Sequence, residues 1–486
     1  MRHTAPIVTL CLAGTIGSAS AMPTVNLSPH GVLARPLART SSKTSWVRYG
    51  YDVERTNSNP SETTLNPSNV GNLKLKWSKK LNGATMTQPI LVTNVLVSGK
   101  SIDVVYEGDE AGTLWALNAA DGATVWTASL GMQHNGCGQA PNGDFGVTST
   151  PVVDVAAGRI YAAGGNGLLQ AFNLATGATI NSGFPVQITN IPKSEYVWSA
   201  LNLNESLHTL YATTASFCDI SPYHGRVVAV DTQTGTIVAR FYVTGKKGPD
   251  GGGIWGWGGA SLEPSSGQVF VGTGNALTSP ENYRYSDQVV KLSSALHILQ
   301  HNYPHVSGGD VDIGSTPALY QASGCPAQLA VESKSGALLV YDQATIRAGA
   351  FQRLQVADMG GDFIGETAYA AALRMLFVSD PSDSPSGPYK HGMLGFAIGS
   401  DCKLSLNWQK TLGPSGDVPS PPVFANGVVY YGDASGSQEI AFNATTGAEL
   451  WNSGSTIGGS VYAAPSVVNG RLYVSSWDGH LYVFGL

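Results

Sequence analysis

Short runs of apolar residues, separated by glycine-rich turns, follow one another along most of the chain. In one such unit, Pro465 precedes the apolar run at 466–468, Asn469-Gly470 follows, and Arg471 opens a second run. Pro suits the start of a strand because it cannot donate to a ladder. Asn-Gly is a strong hairpin signal because both residues tolerate positive φ. The pattern therefore predicts antiparallel β-hairpins.

The same unit recurs along the chain. Leu114-Trp115-Ala116-Leu117-Asn118, followed by Asp121-Gly122 and Trp126, returns as Ile440-Ala441-Phe442-Asn443 with Thr446-Gly447 and Trp451. Related copies place the marker residue at positions 118, 173, 231, 292, 342, 397, 443 and 484. The spacing averages about 52 residues, a period typical of propeller repeats. Four short strands per unit describe one propeller blade.

The last unit ends at Leu486 without a fourth strand. Residues 72–77 have the pattern of that strand, with Trp77 in the position of the repeat's own tryptophans. Strands from both chain ends would then close the ring and remove an open edge. The sequence predicts an all-β fold: one domain over residues 46–486, an eight-bladed β-propeller of four-stranded antiparallel blades, closed by an N-terminal strand pairing with the C-terminal blade.

Composition agrees with one folded, turn-rich domain. The chain has 486 residues, 59 of them Gly, and is 42% hydrophobic. Charged residues make up 12% of the chain, about half the usual share. Length alone suggests about three domains, which the repeat reduces to one. The net charge is -6 and the 27 basic residues are not clustered, which argues against a nucleic-acid partner.

The N-terminus has the pattern of a secretory signal peptide. Arg2 precedes an apolar run at about 7–14, and small residues end at Ala21, where cleavage is expected. The run is too short to span a bilayer. We therefore expect a signal peptide at 1–21, a flexible leader at 22–45, no membrane span, and a periplasmic or secreted protein.

Four cysteines remain after the signal peptide: Cys137, Cys218, Cys325 and Cys402. In an oxidising compartment they allow two disulfides with three possible connectivities, and free buried thiols are an equal alternative. No Cys-x-x-Cys-His motif is present, so no covalently attached c-type haem is expected.

The repeat Ala-x-Asp/Asn-x-x-Thr-Gly-x-x-x-Trp resembles that of the pyrroloquinoline quinone (PQQ) propellers. The segments at 46–50 and 65–70 are similar to the start of the dehydrogenases in that family. The resemblance covers residues 46–486. The same repeat also builds non-catalytic scaffolds, including the propeller lipoprotein that assists outer-membrane β-barrel assembly, so function must be argued from the site.

The fourth unit carries Gly251-Gly252-Gly253-Ile254-Trp255-Gly256-Trp257, and its hairpin ends Gly272-Thr273-Gly274-Asn275. In quinoprotein alcohol dehydrogenases, similar segments supply a Trp that stacks under the quinone and an Asn that binds calcium. The resemblance implies these cofactor-binding roles for Trp255 and Asn275. A planar cofactor suits an aromatic face, and an amide oxygen suits Ca²⁺. Alternatively, both tryptophans pack between blades.

The fifth unit opens Gly309-Asp310-Val311-Asp312-Ile313-Gly314, which is similar to the family's Asp-x-Asp-Phe-Gly segment. The resemblance implies that Asp312 is the catalytic base, close to the metal. Lys334 lies in a Lys-x-Gly segment whose cation contacts the quinone oxygens in the family and stabilises charge on the reduced ring. The alternatives are a turn-capping carboxylate for Asp312 and a solvated strand-end lysine for Lys334.

Two features depart from the family pattern. The calcium-dependent enzymes use an acidic ligand in the third blade, where Asp219 lies one residue from the expected spacing. Their pocket often includes a disulfide of adjacent cysteines, which this chain lacks. Cys137 and Cys218 lie in blade-connecting insertions and could form a bond beside the pocket. The motifs look closer to the polyvinyl-alcohol-dehydrogenase-like branch than to methanol dehydrogenases.

The resemblance implies an exported quinoprotein dehydrogenase that uses PQQ and Ca²⁺. Its substrate would be a small-molecule or polymeric alcohol, or a sugar-like hydroxyl, and electrons would pass to a separate acceptor. The alternative hypothesis is a cofactor-free propeller that binds protein or polysaccharide through its faces.

Overall fold

Eight four-stranded antiparallel sheets follow one another along the chain and form the blades of a propeller, as the repeat predicts. The structure, a computed structural model, describes residues 43–138, 140–191, 193–305, 310–359 and 366–486. The predicted signal peptide and most of the predicted leader lie outside these residues. In the described part of the chain, no helix is long and apolar enough to cross a membrane.

The strands of the first four blades run from the innermost to the outermost in chain order. Blade 1 comprises Ile90–Val97, Lys100–Gly108, Thr113–Asn118 and Thr124–Ser129; blade 2 comprises Val152–Asp154, Arg159–Ala163, Leu168–Asn173 and Val186–Gln187. Blade 3 comprises Asn202–Asn204, Thr209–Thr214, Arg226–Asp231 and Ile237–Tyr242; blade 4 comprises Ser261–Leu262, Val269–Gly272, Val289–Leu292 and Ile298–Asn302.

The remaining blades repeat this order. Blade 5 comprises Ala318–Tyr320, Gln328–Glu332, Ala337–Asp342 and Gln352–Gln355; blade 6 comprises Ala368–Ala370, Met375–Asp380, Gly392–Ile398 and Leu404–Thr411. Blade 7 comprises Val423–Ala425, Val428–Asp433, Gln438–Asn443 and Glu449–Asn452; blade 8 comprises Ser466–Val468, Arg471–Ser476, His480–Gly485 and Lys74–Lys80. Short strands outside this order are Ser58–Asn59, parallel to the first strand of blade 7, and the pair Gln133–His134 and Asp144–Phe145. The described helical turns are all 3-10: Val70–Asn72, Pro141–Gly143, Phe217–Asp219, Ile346–Ala348, Ala371–Leu373 and Gly454–Thr456.

The outermost strand of blade 8 comes from the N-terminal part of the chain. Lys74–Lys80 pairs antiparallel with His480–Gly485, and Trp77 lies opposite Val483. Strands from the two ends of the propeller sequence therefore share one sheet, and this pairing covers an edge that would otherwise be open.

The repeated Trp and Gly residues join neighbouring blades. Trp126 in blade 1 donates its indole N–H to the Leu174 carbonyl of blade 2 at 2.8 Å. A Cβ at Gly177, where φ is +67°, would lie 2.6 Å from the Trp126 ring, so only glycine fits there. The same indole-to-carbonyl bond joins Trp77 to Ala119 and Trp408 to Ala444. The Trp and Gly residues therefore recur in the sequence because they form the contact between adjacent blades.

Residues 46–59, here called the axial segment, contact the innermost strands of all eight blades. Backbone atoms of the segment bond to Leu91, Val153, Leu262, Leu319, Tyr369 and Phe424 of blades 1, 2, 4, 5, 6 and 7. The Asn202 side chain of blade 3 donates to the Val53 carbonyl, and Asn59 donates to the Val467 carbonyl of blade 8. The segment therefore ties the ring together along its axis.

Arg55 is the charged centre of the axial segment. Its side chain is fully buried and donates to the backbone carbonyls of Tyr49 and Leu201 at 2.5 and 3.0 Å. It interacts electrostatically with the buried carboxyl of Glu366, which also accepts a hydrogen bond from the Asn57 side chain at 2.9 Å. Cation and carboxyl thus lie together inside the ring.

Replacing Arg55 by Met is expected to lower the free energy of unfolding by roughly 2–5 kcal/mol, because the buried Tyr49 and Leu201 carbonyls lose their donor and Glu366 loses a neighbouring cation. The variant keeps most of the side-chain volume but removes the counter-charge of Glu366 and two backbone hydrogen bonds. Urea unfolding measures the change. Adding Glu366→Gln should restore part of the stability, and a double variant no more stable than Arg55→Met alone would contradict this account.

Two disulfides join the four cysteines that lie within the described residues. Cys137–Cys218 ties the connection between blades 1 and 2 to blade 3, and Cys325–Cys402 joins blade 5 to blade 6. Among the alternatives left open by the sequence, the structure therefore has two bonds between cysteines that are distant in the chain.

Buried carboxyl groups are a second internal feature of several blades. Glu107, Glu332, Asp380 and Glu439 are almost completely buried, and each has an oxygen atom without a hydrogen-bond partner among the described residues. Burial raises the pKa of Glu107 and Glu332 to about 8 and that of Asp380 to about 9. These raised pKa values favour the protonated, uncharged forms of Glu107, Glu332 and Asp380 in the folded protein at neutral pH.

We expect the stability of the protein to fall as the pH rises from about 5 to about 9. The unfolded chain releases these protons near pH 3.8 to 4.5, whereas the folded protein releases them near pH 8 to 9. Folding therefore takes up protons at pH values between the two. Urea unfolding across this range measures the slope. Glu439→Gln should reduce it, whereas Glu449→Gln on the surface should not, and greater stability at about pH 9 would contradict the prediction.

Candidate functional site

A cavity of about 360 Å³ lies at the end of the propeller where the innermost strands of the blades begin. Seven aromatic and four charged side chains line it: Trp198, Phe217, Tyr223, Trp255, Trp257, Tyr462, Trp477, Asp219, Asp310, Asp312 and Lys334. Such a concave site, with apolar walls and a few convergent charged groups, is the usual form of a ligand pocket.

Asp312 is the centre of the charged cluster. Its side chain is only 7% exposed. One carboxylate oxygen accepts the Trp255 indole N–H at 2.8 Å, and the other accepts the Asn275 backbone N–H at 2.7 Å. The Lys334 ammonium lies 3.8 Å from the carboxylate. Residues predicted from motifs in two separate blades therefore converge on one carboxylate.

Glycines permit this close approach. A Cβ at Gly256 would lie 2.6 Å from the Thr316 backbone nitrogen, and one at Gly274 would lie 3.0 Å from the Asp312 carboxylate. Any larger residue at Gly256 would push the Trp255 segment away from blade 5. The glycine-rich segment of blade 4 is thus required by the geometry of the site.

Lys334 is held inside the cluster. Its ammonium lies 3.0 and 3.1 Å from the two Asp310 carboxylate oxygens and 5.0 Å from the Trp255 ring centroid. Its backbone N–H donates to the Asp312 carbonyl at 2.9 Å. The side chain is 17% exposed, so the interpretation as a solvated strand-end lysine is wrong. A cation over an aromatic face is a favourable arrangement.

Burial and neighbouring charges set the protonation of the cluster. Burial raises the pKa of Asp312 to about 6, although the Lys334 ammonium opposes the rise. Asp287, only 1% exposed, has its pKa raised to about 8 by burial and by the Asp312 carboxylate beside it. Sequence reasoning missed Asp287 because no motif marks it; its backbone N–H donates to the Gly274 carbonyl at 3.2 Å.

The structure does not bring all predicted site residues together. Asp219 lines the cavity from blade 3, but its exposed carboxylate accepts the Tyr223 hydroxyl. No hydrogen bond or ion pair between described residues joins Asp219 to Asp312. Asn275 contributes its backbone, and its side chain is not part of the cavity lining. Within the described ranges, no group of three or more His, Cys, Asp or Glu side chains could hold a metal ion.

The disulfide Cys137–Cys218 lies at the rim of the cavity, because Cys218 and Gly138 both line it. Cys218 and Asp219 have positive φ values of 52° and 48°, which non-glycine residues rarely adopt. The bond therefore anchors a conformationally unusual turn beside the charged cluster.

The fold and its repeat define a propeller of the PQQ-repeat class. The chain belongs to the PQQ_2 family, described as outer membrane protein assembly factor BamB, whose model matches residues 53–238 and 405–485, just over half of the chain. The unmatched residues 239–404 contain Trp255, Asn275, Asp312 and Lys334. No curated protein sequence matches the chain.

Solved structures share the fold. The quinohemoprotein alcohol dehydrogenase ADHIIG from Pseudomonas putida HK5 has a TM-score of 0.69 at 17% identity, covering 91% of this chain and 80% of that one. A europium-containing methanol dehydrogenase has a TM-score of 0.69 at 16% identity, and the match covers 91% of this chain and 98% of that one. BamB from Moraxella catarrhalis has a TM-score of 0.55 at 14% identity, and the match covers 85% of this chain and 100% of that one. At these identities the similarity shows the fold alone.

Proposed function

We propose that the protein is an exported quinoprotein dehydrogenase that oxidises an alcohol or sugar-like hydroxyl. The observation that carries the proposal is the cluster in which Trp255 and Lys334 lie against the buried Asp312 carboxylate. A buried carboxylate with a paired cation in a cleft is typical of functional sites. The cluster lies in the part of the chain that the BamB model does not match.

The residues of the cavity fit PQQ. The Trp255 ring lines the cavity and its indole N–H is fixed by Asp312, so the ring is a suitable platform for a planar ligand. Lys334 supplies a cation for quinone or carboxylate oxygens. When bound, the quinone supplies the two-electron acceptor for oxidation of an alcohol.

Asp312 would act as general base in this reaction. The hydrogen bonds from Trp255 and Asn275 fix the orientation of its carboxylate. It would take the proton of the substrate hydroxyl, and the nearby Lys334 ammonium favours the ionised form that this step requires. The aromatic walls would restrict access of bulk water to the reacting group.

Calcium stays a prediction from the resemblance, which implies Asn275, Asp312 and Asp219 as ligands, although the Asn275 side chain is not part of the cavity lining and Asp219 is hydrogen-bonded to Tyr223. Their oxygen atoms are of the type that Ca²⁺ prefers. Because these side chains do not form a closed set by themselves, we expect calcium to bind together with the quinone and not alone.

The predicted signal peptide supports export to the periplasm or secretion, and the two disulfides agree with an oxidising compartment. Without a haem-attachment motif, electrons would pass to a separate acceptor. Assignment to the polyvinyl-alcohol-dehydrogenase-like branch stays a prediction.

The second candidate function is a binding scaffold, which the BamB family match favours. Calorimetric titration of the full chain with PQQ, with and without Ca²⁺, separates the two. The dehydrogenase proposal predicts saturable binding at one site that calcium strengthens. A folded protein that binds no quinone under either condition would favour the scaffold.

A further inference from the structure

We propose that an apolar wall on the far side of the cavity selects alcohols that carry an aromatic or extended apolar substituent. The wall consists of Met86, Val418, Tyr462 and Trp477. This inference rests on the proposed function and adds the substrate class to it.

The position of the wall follows from the ring. Tyr462 precedes the first strand of blade 8, and Trp477 follows the second strand of that blade. Blade 8 is four positions from blade 4 in the ring of eight and therefore lies opposite it. Trp255 precedes the first strand of blade 4 and bonds to Asp312. Tyr462 and Trp477 therefore lie across the cavity from the charged cluster.

The two rings are held in place. Tyr462 and Trp477 have ring centroids 4.6 Å apart with planes inclined at 54°. The Trp477 backbone N–H donates to the Ser460 carbonyl at 3.0 Å. The next residue, Asp478, accepts bonds from the Gly458 backbone and the Tyr482 hydroxyl at 3.1 and 2.5 Å. A fixed surface of this kind can discriminate between ligands.

The two sides of the cavity differ in chemistry. The charged side chains come from blades 3 and 5, whereas the wall offers a thioether, an isopropyl group and two aromatic rings. The charged residues are Asp219, Asp310, Asp312 and Lys334. The wall has only two polar side-chain groups, the Tyr462 hydroxyl and the Trp477 indole N–H. A polyhydroxylated substrate would therefore leave most of its hydroxyl groups unpaired against the wall, which disfavours binding. An alcohol with its hydroxyl at Asp312 and an aromatic ring at the wall would satisfy both sides.

Steady-state kinetics of the quinone-loaded protein tests the proposal. The measured quantity is the ratio of kcat/KM for benzyl alcohol to that for glycerol. Trp477→Ala and Tyr462→Ala should each lower the ratio about tenfold or more, as expected for loss of apolar contacts. Trp451→Phe is the matched control, because the Trp451 indole bonds to the Leu73 carbonyl between blades. An unchanged ratio in both alanine variants would overturn the proposal.

Fluorine NMR of a trifluoromethylbenzyl alcohol gives a readout apart from turnover. The full chain without quinone should bind this probe, and Trp477→Ala should bind it several-fold more weakly. If the quinone-loaded wild-type protein oxidised no alcohol, the proposed function would fail. The NMR comparison alone would then test whether the apolar wall binds aromatic alcohols. Equal binding by wild type and Trp477→Ala would then overturn it.

Discussion

Replacing Asp312 by Asn is expected to lower kcat/KM for alcohol oxidation by roughly 100- to 10,000-fold, the usual contribution of a general base. The amide has nearly the same shape and keeps an oxygen for the Trp255 N–H or the Asn275 N–H. It cannot take a proton from the substrate. Folding and quinone binding should therefore change little while turnover is lost.

Dye-linked oxidation at saturating quinone measures this effect, and circular dichroism verifies the fold. Asp401→Asn, an exposed aspartate in a turn of blade 6, is the matched control and should retain full activity. Undiminished turnover in Asp312→Asn would exclude this carboxylate as the base.

Removing the ring of Trp255 is expected to weaken quinone binding by roughly ten- to 100-fold, since an aromatic platform contributes both buried area and stacking. Two variants separate the functions of the side chain. Trp255→Ala removes the ring and the N–H that bonds to Asp312. Trp255→Phe keeps an aromatic face but has no N–H donor.

Calorimetry should find that Trp255→Phe keeps most of the quinone affinity, whereas Trp255→Ala does not. Turnover of Trp255→Phe should fall because one hydrogen bond to the base is lost. Equal affinity in wild type and Trp255→Ala would mean that the tryptophan only packs between blades.

The blades could be predicted from the sequence because each unit carries its own local signals. The Asn469-Gly470 turn lies between the antiparallel strands Ser466–Val468 and Arg471–Ser476. The Trp126–Gly177 contact joins adjacent units and is therefore visible as a repeat. The contacts of the axial segment could not be predicted, because its sequence does not repeat and its backbone atoms bond to residues that are distant in the chain.

The candidate site was predictable only where a motif marks it. Trp255, Asp312 and Lys334 lie in recognisable segments, and the structure brings them into one cluster. Asp287 and Trp477 have no such marker, since only the closed ring places them near the cluster or across from it. Spacing along the chain likewise could not show that Asp219 bonds to Tyr223.

The most direct test of the dehydrogenase proposal is dye-linked oxidation of benzyl alcohol by the full chain reconstituted with PQQ and Ca²⁺. We predict dye reduction that requires both protein and quinone, saturates with alcohol concentration, and is lost in Asp312→Asn. Dye reduction no faster than with the quinone alone, from a folded protein at saturating PQQ and Ca²⁺, would contradict the account.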